Sequence, residues 1–358
     1  MYHKIFIVYI NQLIILYGEK LYLNDKNHIL ILNHKKIMNK RFLVFNDIQN
    51  NIDLYFKSKN LIIHTKKKLL LDFYKSFLKY NKYNMIFNKN YCISFNTLIY
   101  FWKKNKSESI LQLHYLLSIV SIYSDIFIIG QNNIGINSTK KLCNPFVHLN
   151  KINYKKKCSL YYGIITKKSN FILQKHFKIY IWNNIIIQTL PGVFGYRGLD
   201  KGSLLLISTF HKNITGQVLD IGSGSGILSV ILKKIAVNTE ITLVDNNNIA
   251  LLCSKNTLRY NNIIGTVLFS NIYSNINNKF DLIISNPPTH CGKKNNFNII
   301  KHIIQNSVKY LKKNGILRIV IHSYISCHKE LLKTFNNYTI IKQMNHFCVY
   351  QSILKKKN

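Results

Sequence analysis

The chain is poor in several residue types that globular proteins use freely. Its 358 residues include four prolines, 15 glycines, two tryptophans and 13 acidic side chains, against 50 basic ones. No apolar run reaches the roughly 18 residues that a membrane-spanning helix needs. The most apolar segment, residues 5–17, is interrupted by Asn11 and Gln12 and lacks a small-residue cleavage site, so it does not fit a signal peptide. We expect a cytoplasmic protein without a membrane segment.

The patterns of other special protein classes are also missing. The seven cysteines form no C-x-x-C pair and show no zinc-type spacing with histidine, so we expect reduced, mostly buried thiols and no metal site. Sustained heptads are absent, and 47% hydrophobic with 13% aromatic residues excludes a disordered chain. At roughly 150 residues per domain, the length predicts about two globular domains. We expect a monomer.

The net charge of +37 is the most unusual feature of the composition. Such a basic balance is typical of proteins that bind nucleic acid or an acidic membrane surface. However, only four of the basic residues are arginines, and Asn, Ile, Lys and Tyr are abundant throughout, as in proteins from AT-biased genomes. The charge favours RNA or DNA as a partner, while compositional drift explains lysine excess without one.

Against this background, the scarce residues cluster. Eight of the 15 glycines lie between Gly192 and Gly226, and three of the four prolines are Pro191, Pro287 and Pro288. Residue types that the composition disfavours, yet that occur close together, indicate a functional region.

Strand-like and helix-like patterns alternate from residue 217 to the end of the sequence. Apolar runs predict strands, and 3.6-residue periodicity predicts helices between them, with Asn248 capping the second. Continuous apolar strands in this alternation are typical of a parallel, doubly wound α/β sheet covered on both faces. The last two strands, joined by a polar turn at 345–346, should form an antiparallel edge hairpin. The expected strands are 217–221, 240–244, 266–269, 281–285, 316–321, 339–342 and 347–354, and the helices 227–235, 248–260, 299–311 and 328–335.

The first half repeats this organisation more weakly. Strands expected at 125–130 and 160–165 resemble 316–321 and 349–354 in order and spacing, and they follow the segment Asn-Thr-Leu-Ile-Tyr at 96–100 and a helix at 108–121. An internal duplication would explain this, although the first copy lacks the glycine cluster and the double proline. We predict a degenerate first domain at 1–165, a linker strand region at 166–189 (the strand near 177–190) and an intact domain at 190–358.

The first chemical motif, Asp220-Ile-Gly-Ser-Gly-Ser-Gly226, ends a strand and opens a helix. Glycines let a ligand approach the backbone closely, and the amino end of a helix adds donor amides. A dinucleotide site or a plain turn would also fit such a loop. The Asp220 carboxylate argues against a pyrophosphate and for a cation such as the ammonium of a methionine moiety.

Two polar residues follow the next strands. Asp245 can accept hydrogen bonds from both hydroxyls of a ribose, and capping a helix is a compatible alternative. Asn271 can contact an adenine edge or can simply be a turn asparagine.

The third motif is Ser285-Asn-Pro-Pro-Thr289, directly after an apolar strand. Proline fixes φ and has no N–H, so the carbonyls of Asn286 and Pro287 should be rigid and uncommitted. Together with the Asn286 amide oxygen they suit a planar exocyclic amine, which donates two hydrogen bonds. A tight turn without function is the alternative.

The three motifs together resemble those of S-adenosylmethionine-dependent, Rossmann-like methyltransferases that act on planar amines. The block at 190–203, Leu-Pro-Gly-Val-Phe-Gly-Tyr-Arg-Gly-Leu-Asp-Lys-Gly-Ser, and the stretch at 96–106 resemble the bacterial ribosomal RNA small subunit methyltransferase C family from about residue 90 onward. The resemblance implies two tandem Rossmann-like domains with a seven-stranded, mostly parallel sheet, the first domain degenerate. It implies S-adenosylmethionine as cofactor and the N2 amine of guanine 1207 of 16S rRNA, in the small ribosomal subunit, as target.

The resemblance also implies a role for each matching position. The catalytic residues, which hold the target amine, would be Asn286 and Pro287; with Pro288 and Thr289 they would contact the substrate base. The cofactor contacts would be Asp220, Gly222, Gly224, Gly226, Asp245, Asn271, Phe194 and Asp200.

One position departs from the family. An aromatic residue that stacks on the target base usually follows Asn-Pro-Pro, and Thr289 stands there, at a cost of about 1–3 kcal/mol in base binding. Either another ring, Phe297 or Tyr196, compensates, or activity has weakened. His290 and Gly292 match the family's His-x-Gly, and we expect His290 to be a loop residue rather than a general base.

Two other functions stay open. The chain could methylate adenine or a protein glutamine, although the duplication and the block at 190–203 argue against this. It could also be a non-catalytic RNA-binding relic, although drift would not spare all three motifs together.

Overall fold

The fold is described from a computed structural model covering residues 42–45, 61–63, 97–155, 157–288 and 293–355. These residues fall into two compact units, and the chain passes from the first to the second between Phe171 and Ile172.

The first unit contains a mixed sheet with the order β2-β1-β3-β4-β6-β5 in its described part. The first four of these strands are parallel, and β6 and β5 are antiparallel to their neighbours. Strands β3 and β4 are buried almost throughout because their apolar runs have no polar face. The elements are β1 (Phe42–Phe45), β2 (Leu61–Ile63), β3 (Thr97–Phe101), α1 (Lys106–Ile119), β4 (Asp125–Gln131), α2 (Thr139–Cys143), β5 (Asn150–Lys155) and β6 (Cys158–Ile164).

The second unit contains the predicted seven-stranded, mostly parallel sheet. Its order is β11-β10-β9-β12-β13-β15-β14, with β15 antiparallel to both β13 and β14. The elements are β7 (Lys178–Trp182), β8 (Ile185–Thr189), α3 (Lys201–Ile207), β9 (Gly216–Ile221), α4 (Ile227–Ile235), β10 (Thr239–Asp245), α5 (Asn248–Tyr260), β11 (Thr266–Phe269), β12 (Phe280–Ser285), α6 (Lys293–Tyr310), β13 (Leu311–His322), α7 (His328–Phe335), β14 (Thr339–Met344) and β15 (Phe347–Ile353).

Both faces of this sheet are covered, as the continuous apolar strands predict. Successive residues of a strand point to opposite faces, so Leu282 and Ile284 pack with helices α3, α4 and α5 and the intervening Ile283 packs with α6 and α7. The carboxyl ends of β9, β10 and β12 therefore meet at one edge between two packed layers, which is where ligands bind in open α/β sheets.

Two details of the prediction are wrong. The single linker strand expected at 177–190 is a hairpin, β7–β8, because Asn183 and Asn184 both adopt positive φ, as a tight two-residue turn requires. The hairpin belongs to the second unit, where Ile185 and Ile187 enter the core. The cap of α5 is Asn247, whose side chain accepts a hydrogen bond from the Ile249 N–H, while Asn248 is already helical.

Candidate active site

The glycine loop lies where the chain leaves β9 and enters α4. Gly222, Gly224 and Gly226 have φ of 74°, 56° and 81°, in the left-handed region that favours glycine. A Cβ on Gly226 would stand 3.0 Å from the Ser254 Cα, whereas a Cβ on Gly222 would meet no protein atom within 4 Å. Glycine is therefore needed for backbone packing at one end of the loop and leaves open space at the other.

Asp220 lies directly behind this loop and is 1% exposed. Its Oδ2 accepts a hydrogen bond from the Ser229 hydroxyl at 2.7 Å, but its Oδ1 has no hydrogen-bond partner within the described part of the chain. Burial is the main cause that raises the pKa of this carboxyl to about 7; the hydrogen bond from Ser229 opposes the rise, and the nearby Asp245 charge adds to it. A buried carboxyl in this state is suited to a cationic or donor group.

Asp245 ends β10 beside the loop, where sequence reasoning expects a ribose contact. The Gly224 N–H donates to its Oδ2 at 3.1 Å and the Asn247 N–H donates to its Oδ1 at 2.8 Å. Two backbone amides thus fix the orientation of a half-buried carboxylate, which preorganises it as a hydrogen-bond acceptor.

The segment at 190–203 lies over the loop. The Phe194 Cβ and carbonyl oxygen are each 3.5 Å from the position that a Cβ on Gly224 would take, and the Tyr180 hydroxyl donates to the Gly195 carbonyl at 3.1 Å. Between segment and loop is a cleft. It is lined by Tyr180, Phe194, Gly195, Leu199, Asp200, Ser203, Gly222, Ser223, Ser225, Ile227, Leu228 and Asn286.

These residues fit S-adenosylmethionine. The cleft combines apolar walls with a few polar atoms, and the buried Ser225 hydroxyl that lines it has no partner among the residues described. The open space at Gly222, the Asp220 carboxyl behind the loop and the fixed Asp245 carboxylate supply the acceptors that an ammonium and a ribose require.

Asn286 is positioned from two sides at the substrate end of this cleft. Directly before it, the Ser285 hydroxyl donates to the Ile221 carbonyl at 2.9 Å, which joins the ends of β12 and β9. The Asn286 Nδ2 donates to both carboxylate oxygens of Asp200 at 3.2 Å and to the Ser203 Oγ at 2.9 Å.

Asp200 also caps helix α3, because its carboxylate accepts hydrogen bonds from the N–H groups of Gly202 and Ser203. A carboxylate only accepts, so it holds the NH2 end of the Asn286 amide and turns the amide oxygen away. Within the described ranges no donor hydrogen-bonds that oxygen.

The two prolines differ in exposure. Pro287 is buried and Pro288 is exposed. In the described turns and loops, no backbone N–H donates to the carbonyl of Asn286 or Pro287. Neither carbonyl is therefore committed to a backbone hydrogen bond among the described residues, and the grouping of these acceptors around a target amine stays a prediction.

Some predicted residues lie outside the described part of the chain or away from the described lining of the cleft. Thr289, His290 and Gly292 lie outside the described residues. Phe297 packs against the core on the α6 side of the sheet, and Asn271 lies in an exposed turn, where its N–H donates to the Ser274 Oγ at 2.9 Å. The adenine contact of Asn271 stays a prediction.

Sequence reasoning did not predict eight of the twelve residues that line the cleft, among them Tyr180, Ser203 and Ser225. Ser203 ends the block that carries the family resemblance, which is the one signal that could have found it. Tyr180 could not be found, because the turn that folds β7 back towards the loop was itself missed.

None of the described helices combines the length and apolar character needed to cross a membrane. Within the described ranges, no three His, Cys, Asp or Glu side chains are grouped as metal ligands would be. The cysteines at 143, 158, 253, 327 and 348 are buried, and burial raises the pKa of the Cys253 thiol to about 12.

Comparison with known proteins shows which protein families and which individual proteins this chain is similar to. The family model of the methyltransferase small domain matches residues 184–351, and that of the methyltransferase small domain N-terminal region matches 28–180. A protein of Buchnera aphidicola subsp. Acyrthosiphon pisum named ribosomal RNA small subunit methyltransferase C is 41% identical over 335 residues, 92% of this chain and 99% of that protein. A protein of the same name from Serratia proteamaculans is 32% identical, over 93% and 96% of the two chains.

Among solved structures, the T. thermophilus 16S rRNA N2 guanine 1207 methyltransferase, in complex with AdoMet and guanosine, shares the fold with a TM-score of 0.76. The superposition covers 95% of this chain and 94% of that one at 16% sequence identity.

Proposed function

Because the chain belongs to the ribosomal RNA small subunit methyltransferase C family, we propose that it methylates the exocyclic N2 amine of one guanine of 16S rRNA, the guanine at position 1207. The chain is an S-adenosylmethionine-dependent rRNA methyltransferase. Beyond this activity, we propose the target base (guanine), the methylated atom (N2) and the position of that base in 16S rRNA. The proposal also includes a cytoplasmic monomer acting on the small ribosomal subunit, and a degenerate first domain at 1–165 that contributes RNA binding or structure.

The orientation of the Asn286 amide is the observation that carries this proposal. Asp200 and Ser203 hold the NH2 end, so the oxygen is the end of the amide that is left to accept a hydrogen bond from a substrate. An exocyclic amine has two N–H donors, and the Asn286 amide oxygen and the Pro287 carbonyl can each accept one. The site thus fits a planar NH2 group, such as that of guanine.

The cofactor-side residues bind and orient. When bound, S-adenosylmethionine supplies a methyl group on a positively charged sulfur that leaves as a neutral thioether. Asp220 would pair with the ammonium group, Asp245 would accept from the ribose hydroxyls, and Phe194 would cover the ligand. Excluding water and fixing geometry are the main contributions that such a displacement requires from a protein.

The residues at the target amine make its nitrogen nucleophilic. In the free base the amine lone pair is delocalised into the ring. Accepting both N–H bonds at Asn286 and Pro287 favours a pyramidal nitrogen, with its lone pair directed at the methyl group. After transfer the nitrogen carries an extra proton, which passes to solvent.

Access to the amine explains the need for an RNA-binding surface. A base within a helix must leave its stack before its exocyclic group can enter a cleft. Lysines on a chain of net charge +37 would hold the phosphates meanwhile, with an affinity that falls as salt rises.

The test is methylation of defined substrates. Purified protein and labelled S-adenosylmethionine are incubated with unmodified small subunits and with naked 16S rRNA, and the modified nucleoside is identified by mass spectrometry. N2-methylguanine at position 1207 is the expected product. Label on adenine or on a protein glutamine would assign the other Asn-Pro-Pro chemistry, and absence of cofactor binding by calorimetry would favour a relic.

A further inference from the structure

Four aromatic rings form a cluster at the end of β13 and the start of β15. His322 and Tyr324 have ring centroids 4.2 Å apart, His322 and His346 lie 5.5 Å apart with planes within 6°, and His322 and Phe347 lie 4.9 Å apart. The Ser323 N–H donates to the His346 carbonyl at 2.7 Å, so the two segments are joined through their backbones. We call these four residues the ring cluster.

The ring cluster adjoins the substrate end of the active site. Phe347 carbons lie 3.2 Å from the position of a Cβ on Gly202, next to the Ser203 that contacts Asn286. Ser285 pairs with Ile319 in the parallel strands β12 and β13. Strand β13 ends at His322, three residues beyond Ile319, at the same edge of the sheet at which β12 ends at Ser285. The ring cluster therefore stands beside the motif that holds the target amine.

The rings are exposed in a way that core packing does not explain. Tyr324 is 57% exposed and His346 is exposed, although each could have been replaced by a polar residue at no cost to the core. The segment 322–347 has one acidic side chain, Glu330, which contacts Gln305 and Lys301, and three lysines, Lys329, Lys333 and Lys342. Exposed rings in basic surroundings are the combination that binds unpaired bases of nucleic acid.

We propose that the ring cluster stacks against an unpaired base next to the target guanine in the RNA. The proposal rests on the proposed function for the identity of the RNA. The neighbouring nucleotide is favoured over the target because Asn286 lines the cleft, whereas none of the four rings is among its lining residues. Stacking at this site would stabilise the unstacked strand on the protein while the target base enters the cleft.

The test removes the exposed rings and measures RNA binding and catalysis separately. For the double variant Tyr324→Ala/His346→Ala, the KM for small subunits should rise about tenfold with kcat little changed, and the affinity for a fluorescein-labelled single-stranded RNA containing the target guanine should fall about tenfold. The cofactor affinity measured by calorimetry should not change. The variant Tyr324→Phe/His346→Phe keeps the rings and should restore RNA binding.

Tyr260→Ala is the matched control. Tyr260 is a 40% exposed ring at the end of α5, a helix that returns the chain to the opposite edge of the sheet, and its loss should leave RNA affinity unchanged. If the double variant is unstable, Tyr324→Ala alone should weaken RNA binding about threefold.

An abasic nucleotide identifies the stacked base. Placed beside the target guanine, it should abolish the difference between wild type and double variant; placed at the target guanine, it should preserve the difference. Wild-type affinity in the double variant, equal loss in Tyr260→Ala, or a difference that depends on the target guanine itself would overturn the inference. Oligonucleotide binding needs no methyl transfer, so this result is separate from failure of the proposed function.

Discussion

The two units share one strand order and differ at the edge where the active site lies. The order β2-β1-β3-β4-β6-β5 of the first corresponds to β10-β9-β12-β13-β15-β14 of the second, with the same parallel and antiparallel neighbours. After β12 the chain continues with Asn286-Pro287-Pro288, and after the corresponding β3 it continues with Trp102-Lys103-Lys104.

Where the second unit has the polar side chain of Asn286, the first unit has Trp102, whose ring is part of the packing. It is 4% exposed, its indole N–H donates to the Ile134 carbonyl at 3.0 Å, and a Cβ on Gly130 would lie 2.8 Å from the Trp102 Cβ. Lys103, the next residue, forms an ion pair with Glu108 at 3.1 Å. In the second unit, by contrast, buried polar atoms of Asp220 and Ser225 have no partner among the described residues. The sheet tolerates either arrangement, because its stability comes from apolar strands rather than from this edge.

The largest effect is expected at Asn286. Asn286→Ala should lower kcat by about 1,000-fold, because the amine loses a fixed acceptor, while the Kd for S-adenosylmethionine stays within a few-fold of wild type. Steady-state methyl transfer and calorimetry measure the two quantities. Lys103→Ala, at the corresponding edge of the first unit, should leave kcat unchanged. Equal loss of cofactor binding in Asn286→Ala would contradict the role assigned to it.

The next largest effect is expected in cofactor binding at Asp220. Asp220→Asn should weaken binding of S-adenosylmethionine about 100-fold at neutral pH, since a buried cationic group would lose its counter-charge. The wild-type affinity should rise between pH 5.5 and 7.5, because the Asp220 carboxyl, whose pKa burial raises to about 7, becomes charged over this range. The variant should show a flat profile by calorimetry; a parallel slope in both proteins would assign the pH dependence elsewhere.

The same raised pKa has a consequence for the stability of the cofactor-free protein. From about pH 4 to about pH 7 the folded state retains a proton that the unfolded state has released, so this carboxyl lowers the free energy of unfolding as pH rises and stops doing so above pH 7. Urea unfolding at several pH values should show that, over this pH range, the free energy of unfolding of wild type falls relative to that of Asp220→Asn.

A smaller effect on catalysis is expected at Asp200. Asp200→Asn keeps a good helix cap but can offer either end of its amide to Asn286, so the amide oxygen of Asn286 is no longer fixed. The kcat should fall about tenfold, with the melting temperature and the Kd for S-adenosylmethionine close to wild type. A loss confined to the melting temperature would reduce Asp200 to a structural residue.

The smallest effect on activity is expected in the first unit. Trp102→Phe removes the donor to the Ile134 carbonyl and should lower the free energy of unfolding by about 1 kcal/mol. The kcat per folded molecule should be that of wild type. A tenfold drop in kcat would mean that the edge of the first unit takes part in the reaction.

The sequence predicts the strands of the second unit well, because their apolar runs are longer and more continuous than the segments around them. It predicts turns and caps less well. Three consecutive asparagines at 246–248 compete to cap α5, and only the observed backbone selects Asn247. The β7–β8 turn uses Asn183 and Asn184, which also occur in many other contexts in a chain so rich in asparagine.

The individual residues of the site could be predicted from the sequence, but the contacts between them could not. Asp220, Asp245 and Asn286 each follow a strand within a recognisable motif. The contact between Asn286 and Asp200 spans 86 positions, and no local pattern indicates which carboxylate an asparagine will meet. Sequence reasoning could therefore predict Asp200 as a cofactor contact but could not identify it as the group that orients the Asn286 amide.

The fixed amide has a consequence for base selection. With its NH2 end held at Asp200 and Ser203, Asn286 presents an acceptor and cannot rotate to present a donor. A base edge with a carbonyl at this point would bring two acceptors together, and hypoxanthine, which lacks the amine, would leave both acceptors unpaired. In the proposed function, one carboxylate at the start of a seven-residue helix would thus give the cleft a polarity that discriminates amino from oxo groups before any bond changes.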